Sequence, residues 1–267
     1  MTVGRVTAYY WSGDGAAATA LAELADRAGP WPGIPDVSNR PIRILLAPSE
    51  ELFDSLTRGR LPEWGAAAAF PGGNTVVIDL SAGNPMRVLR HELAHLALHS
   101  RVRYVPRWFD EGYAAWAAGE WDRVDALRVN WALLRGAVPS LEELDRYLVA
   151  QGPARAEAAY ALSTTAVLLL DRLGGDRGLE PLLSALEHTV DFDGALRQGY
   201  RITLGQFEDR WRRDLKRRYG WLLFFSSFAV FWGLVGTALM ALWFWRRRRD
   251  RARRAALNDG WVISEEL

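Results

Sequence analysis

The chain has 267 residues and no cysteine, which excludes a disulfide scaffold, a cysteine nucleophile, an iron–sulfur cluster and a thiolate zinc site. Hydrophobic residues make up 49% and charged residues 24%, the balance of a globular protein and not of a disordered one. The net charge of +1 is unevenly spread: residues 201–218 carry +4 and residues 246–267 carry +3, so residues 1–200 sum to about −6, which argues against nucleic acid as a partner of the main body.

Arg5 to Trp11 reads as a strand and Ala16 to Ala28 as a helix. Pro30, Trp31, Pro32, Gly33 and Pro35 mark a loop. A second strand is expected at Pro41 to Ala47, a short helix at Glu50 to Thr57, and a Gly72-Gly73-Asn74 turn into a third strand, Thr75 to Leu80. Beyond it the helical period dominates. Asn84-Pro85 signals a helix start, and Ser140 with Glu143 forms a capping box. The apolar run from Tyr160 to Leu173 is expected to be a core helix. The fold class is therefore α+β. Residues 1–84 form the N-terminal α/β part of one domain, and residues 85–218 form its mostly helical part.

The chemistry concentrates near residue 91. His91 and His95 are four apart on a predicted helix, so both imidazoles project from one face, one turn apart, and can bind one metal ion. Glu92 lies beside them, completing the pattern His-Glu-x-x-His: two zinc ligands and a general base. A catalytic zinc needs a third protein ligand and an open position. His99 lies eight residues after His91, swung around the helix, and is the weaker candidate. Glu111 lies one short connection downstream, at the start of a second helix expected over Phe109 to Gly119, and is the stronger one.

His91-Glu92-x-x-His95 followed by Pro106-Arg107-Trp108-Phe109-Asp110-Glu111-Gly112 resembles the gluzincin zinc metallopeptidases, and in particular their small MA-like, thermolysin-superfamily domains. The similarity extends over residues 5–215, through Pro139 to Leu144, Tyr160, and Phe207 with Trp211. It implies a zinc site of His91, His95 and Glu111, a peptide or protein substrate, and hydrolysis by water that Glu92 activates. It also implies a tyrosine behind the site, for which Tyr160 is the first candidate and Tyr113 and Tyr104 weaker ones. The strand before the zinc helix in such enzymes is commonly an edge strand that pairs with extended substrate, which points to Thr75, Val76, Val77 and Ile78. One departure is visible: thermolysin-type enzymes orient a zinc histidine with an Asp four residues after the ligand Glu, and that position here is Ala115. The alternative is a catalytically inactive, membrane-tethered binding or scaffold protein that retains the fold.

Residues 219–245 contain no charged side chain, and the 25 residues from Trp221 to Trp245 are long enough to cross a bilayer as a helix. Tyr219 and Trp221 at one end, with Trp243 and Trp245 at the other, match an aromatic belt. A basic tail follows over 246–267, opening with Arg246 to Arg249. Basic residues abutting the helix favour a cytoplasmic tail and an extracytoplasmic peptidase domain. That orientation requires a leader preceding this sequence. The other expectation is a cytosolic, tail-anchored orientation, since residues 1–30 contain no signal peptide.

Overall fold

The structure is a computed structural model that describes residues 1–34, 40–58, 65–136, 138–149 and 153–258; the side chains of 153–155, 221–230 and 255–258 lie outside that description. The chain divides into two compact units, Met1–Tyr219 and Gly220–Leu267.

The first unit opens with a hairpin of β1 (Thr2–Val3) and β2 (Val6–Tyr9). Helix α1 (Gly15–Asp26) then crosses over to β3 (Ile42–Ala47), parallel to β2. Helix α2 (Glu50–Thr57) leads toward β4 (Ala67–Phe70), and a tight turn at Pro71–Gly73 leads to β5 (Thr75–Asp79). Asn74 sits in the left-handed region, with φ of 45°, a conformation that asparagine tolerates. Among the described residues the sheet has the order β1-β2-β3-β5-β4, with β5 parallel to β3 and antiparallel to β4.

Side-chain alternation sends Leu45, Ala47 and Val77 to one face, where α2 packs with Leu52, Phe53 and Leu56. Ile44, Leu46, Val76 and Ile78 are buried on the other face. That face is covered by α1 and by α3 (Pro85–His99), whose Leu89, Leu93 and Leu96 are buried. Coverage on both sides explains why the central strands are apolar over most of their length, with Arg43, Thr75 and Asp79 as the polar members.

The strands expected from the sequence correspond to β2, β3 and β5 apart from end residues, with three differences, the first being that β1 (Thr2–Val3) has no counterpart in that reading. Tyr10 and Trp11 lie outside β2 and are exposed. Strand β4 has no counterpart in that reading, and it changes the role of Thr75–Ile78. Strand β5 is hydrogen-bonded on both sides, so it is an interior strand and has no free edge to offer a substrate. Among the described residues the edge next to β5 belongs to β4, and the other edge to β1. Pro35 lies outside the described residues.

The helical part comprises α4 (Arg107–Ala117), α5 (Arg123–Leu134), α6 (Leu141–Val149), α7 (Pro153–Leu173), α8 (Glu180–Leu186), α9 (Phe192–Tyr200) and α10 (Leu204–Tyr219). Helix α7 is its axis, in contact with α4, α5, α6 and α10. The Ser140–Glu143 capping box forms at the start of α6: the Glu143 amide donates to Ser140 Oγ at 3.1 Å and the Ser140 amide to Glu143 Oε2 at 2.7 Å. Trp211 on α10 is fully buried and its indole N–H donates to Thr165 Oγ1 at 2.9 Å, so a large apolar side chain enters the core with its one polar atom satisfied. Trp108 stacks on Phe207 with ring centroids 6.0 Å apart, tying α4 to α10. Arg101, just past α3, reaches Glu180, Glu187 and the Gly33 carbonyl, and so fastens the end of α3 to α8 and to the loop after α1.

The second unit is one helix, α11 (Trp221–Asn258), which continues through the arginines at 246–254. Among the described residues no helix is long and apolar enough to cross a membrane. The expected span at 219–245 is not supported there, and its side chains at 221–230 lie outside the description, as do residues 259–267 of the tail.

Helix α4 approaches α7 most closely at Gly112, where an added Cβ would lie 2.6 Å from the Ser163 carbonyl oxygen and 3.0 Å from Val167. Backbone cannot yield as a flexible side chain would, so Gly112→Ala must force the two helices apart. The expected cost is about 1–3 kcal/mol, read as a fall in Tm of roughly 2–4 °C per kcal/mol for a domain of this size. A variant melting with the wild type would show that this contact is not tight.

Candidate metal centre and active-site cleft

Three short segments build the site. Helix α3 starts where expected: Asn84 Oδ1 accepts from the amides of Met86 at 3.1 Å and Arg87 at 3.3 Å, and Pro85 takes the first helical position. Its apolar face lies on the sheet, which turns His91 and His95 the other way with ring centroids 4.9 Å apart. Helix α4 has no cap of its own at Pro106. Asp145 of α6 supplies one, accepting from the Trp108 amide at 2.6 Å. With Trp108, Phe109 and Tyr113 buried in the core, Glu111 is delivered to the histidine pair.

The convergence is tight. Glu111 Oε2 lies 3.4 Å from His91 Nε2 and 3.6 Å from His95 Nε2. Donors 2.0–2.2 Å from a tetrahedral zinc ion stand ~3.3–3.5 Å apart. The three residues thus form a group able to hold a metal ion, with ligand atoms all within 4.8 Å of one another, and the chemistry and spacing of the set fit zinc.

The carboxylate missing at position 115 is replaced from two other places. Glu120 Oε2 lies 3.2 Å from His91 Nδ1, and Asp110 Oδ1 lies 2.6 Å from His95 Nδ1. A neutral ring that donates from Nδ1 to a carboxylate presents Nε2 as a lone pair, so these contacts turn both imidazoles for ligation and fix the tautomer each would take on binding a metal. Glu120 is brought back by the end of α4. Gly119 adopts a φ of 76°, its amide donates to Trp116 O at 3.0 Å, and the Glu120 amide donates to Ala115 O at 2.9 Å. That pair of bonds is a Schellman motif, and it needs glycine at the left-handed position. Arg87 Nε stands 3.5 Å from the other oxygen of Glu120.

Sequence reasoning missed Asp110 and Glu120 as site residues. A signal was present for each: Asp110 adjoins the ligand Glu, and Glu120 is the first residue past a glycine helix stop. His99 does not join the His91–His95–Glu111 group. Its Nε2 lies 2.9 Å from Asp110 Oδ2.

Charge follows from these contacts. Burial opposes a charge on His91, but hydrogen bonds with Glu111 and Glu120 outweigh it and raise its pKa to about 9. Burial opposes a charge on His95 as well, and Asp110 and Glu111 hold its pKa well above the ordinary histidine value. Burial would raise Asp110 and Glu111, yet the facing histidines hold both carboxyls well below the usual range. Glu92 differs: burial is its largest influence and Glu111 adds to it, so its carboxyl sits above the ordinary value despite the two histidines.

These residues line a cleft of about 1010 Å³, roomy enough for several residues of an extended chain. Tyr160 of α7 lines it, and burial followed by Glu111 pushes its phenol above the ordinary tyrosine value. The two weaker tyrosine candidates are elsewhere: Tyr113 is buried and donates to the Pro32 carbonyl at 3.0 Å, and Tyr104 is exposed. The opposite wall is Gly65 to Ala69, including most of β4. The Asp79 amide donates to Ala66 O at 2.9 Å, which makes Ala66–Asp79 and Ala68–Val77 the hydrogen-bonded pairs of the ladder. Ala67 and Ala69 therefore turn their backbone groups away from β5, and the Ala69 amide reaches Glu92.

No curated protein matches the chain significantly. A family profile described as the Peptidase MA superfamily matches residues 16–217, from α1 through α10, which includes the whole cleft. This chain, with its mixed sheet, helical half and His-His-Glu group, belongs to the Peptidase MA superfamily and carries a peptidase-like domain of that clan.

Proposed function

We propose that the protein is a zinc-dependent peptidase of the gluzincin type, akin to the small thermolysin-like domains, and that residues 219–245 anchor it in a lipid bilayer. The observation that carries the first part is the meeting of His91 Nε2, His95 Nε2 and Glu111 Oε2 at 3.4 and 3.6 Å, with Glu92 in the same cleft. His91, His95 and Glu111 would hold the ion. When bound, zinc supplies Lewis acidity toward a water molecule and a scissile carbonyl.

The remaining chemistry belongs to the chain. Glu92, with a carboxyl raised by burial, takes the proton of the attacking water and returns it to the leaving amine nitrogen. Tyr160 stays a neutral phenol at physiological pH and donates a hydrogen bond to the developing oxyanion. The outward backbone groups of β4, not those of Thr75–Ile78, offer the edge on which an extended peptide adds as a strand. The catalytically inactive reading rests on the missing carboxylate at position 115, an unassigned proton donor and the anchor; the contacts of Glu120 and Asp110 with the histidines weigh against the first of these.

Membrane anchoring rests on the charge-free run and on the exposed surface of α11. Phe231, Trp232, Leu234, Leu239, Trp243 and Trp245 are all more than half exposed, an apolar area that calls for an apolar partner. The Arg247 and Arg249 guanidiniums lie over the rings of Trp243 and Trp245 at 4.9 and 5.9 Å, within the ~6 Å reach of a cation–π contact, in the manner of an interfacial belt. The arginines that follow favour a cytoplasmic tail, with the peptidase domain on the other side.

Three outcomes are expected. The purified full chain should contain about one zinc ion, lost in His91→Ala and Glu111→Ala; well-folded wild type that takes up no zinc would overturn the proposal. Glu92→Gln should keep its zinc while peptide hydrolysis falls by roughly 10²–10⁴-fold, and equal turnover by variant and wild type in matched preparations would remove Glu92 from its role. On reconstitution the full chain should float with phospholipid vesicles after an alkaline carbonate wash; recovery in the aqueous fraction would show that 219–245 does not insert.

A further inference from the structure

We propose that His99 is a positioning residue for the metal site, acting through Asp110 on His95; the inference rests on the zinc reading above. His99 lies one turn beyond His95 on the same face of α3. Its Nε2 stands 2.9 Å from Asp110 Oδ2, and its Nδ1 stands 3.3 Å from the Val102 carbonyl oxygen. Both ring nitrogens face acceptors. A neutral imidazole carries one N–H and satisfies only one of them, so the ring that fits this setting carries two hydrogens and a positive charge.

The Asp110 carboxylate is thus bridged, one oxygen to each ring: Oδ1 to His95 Nδ1 at 2.6 Å and Oδ2 to His99 Nε2 at 2.9 Å. Bridging fixes the rotation of the carboxylate, and with it the plane of the His95 ring. The other metal histidine shows the same construction, His91 to Glu120 to Arg87, a ring followed by a carboxylate and then a cation. The two arms differ in exposure. The Arg87 side chain is 61% exposed and solvated, whereas the His99 side chain is 17% exposed, so the buried arm holds its carboxylate with less help from water.

His95, His99 and Asp110 also form a group compact enough to hold an ion of their own. Their separations speak against it. Contacts of 2.6 and 2.9 Å are hydrogen-bond distances, shorter than the ~3.3–3.5 Å between two ligands of one tetrahedral zinc. Moreover, His95 Nε2 already faces Glu111.

The test is zinc affinity of the full chain in detergent, measured by competition with a chelating indicator and accompanied by Tm. His99→Ala should weaken zinc by on the order of 10-fold or more, the usual effect of an outer partner of a metal histidine. His99→Gln places an amide N–H near the Nε2 position and should recover most of that loss. His99→Ala added to Asp110→Asn should change little beyond Asp110→Asn alone, because both act on one chain of contacts. The visible spectrum of the cobalt-substituted protein should shift in His99→Ala and return in His99→Gln. Unchanged affinity in a folded His99→Ala, equal loss in the alanine and glutamine variants, additive losses, or two zinc ions per wild-type chain would each overturn the proposal. A folded wild type that binds no zinc would overturn the metal reading and this inference with it. Zinc in the wild type that His99→Ala leaves untouched would overturn this inference alone.

Discussion

Glu111 on one helix meets the His91–His95 pair on another, and the arrangement of the helical half of the domain turns on that contact. The histidine pair needs only the pitch of α3, but Glu111 must be carried to it by α4. Helix α4 is held from three sides. Asp145 caps its start, Gly112 lets it approach the backbone of α7, and Trp108 locks it against Phe192 and Phe207. A shift of a few tenths of an ångström in any of these moves the carboxylate. The tight packing of α4 against α7 therefore has a chemical consequence as well as a stabilising one.

Electrostatics explains why the ligands are so heavily buttressed. Glu92, Asp110, Glu111 and Glu120 crowd one cleft and are largely buried there, and carboxylates so placed repel one another more strongly than in bulk water. The histidines relieve this repulsion by holding protons, which is what lifts His91 to a pKa of about 9. A divalent ion in the same place would take over that role, with the displaced protons released to solvent. Glu92 stands apart from the exchange. Its carboxyl is raised by burial, unlike those of Asp110, Glu111 and Glu120, which sets it apart from the carboxylates that face the histidines.

What was legible in the sequence was local. Asn84-Pro85 and the four-residue spacing of His91 and His95 are properties of a single helix, and the Ser140–Glu143 box closes over three residues. Glu111 was legible through a family resemblance on a short stretch. What escaped depends on closure in three dimensions. Strand β4 is Ala-Ala-Ala-Phe, with no β-branched residue to announce it, and it is a strand because β5 offers it a ladder. Thr75–Ile78 is rich in β-branched residues, and those residues mark an interior strand, packed on both faces, better than they mark an edge. Glu120 lies 29 positions from His91, and only the turn at Gly119 brings them together.

Helix α10 is both the end of the domain and a wall of its core. Phe207, Trp211 and Leu215 are all buried, four residues apart along one face, and the first two hold α4 and α7 through Trp108 and Thr165. A proteolytic cut before Phe207 would strip those side chains from the interior and expose α4, the helix that carries Glu111. A cut that leaves the core whole and removes all of the segment that follows would therefore fall within the five residues from Lys216 to Gly220. Four of those five are helical, a shape that proteases, which bind extended chain, do not accept without unwinding it. Separating the intact domain from that segment would thus require fraying at the end of α10.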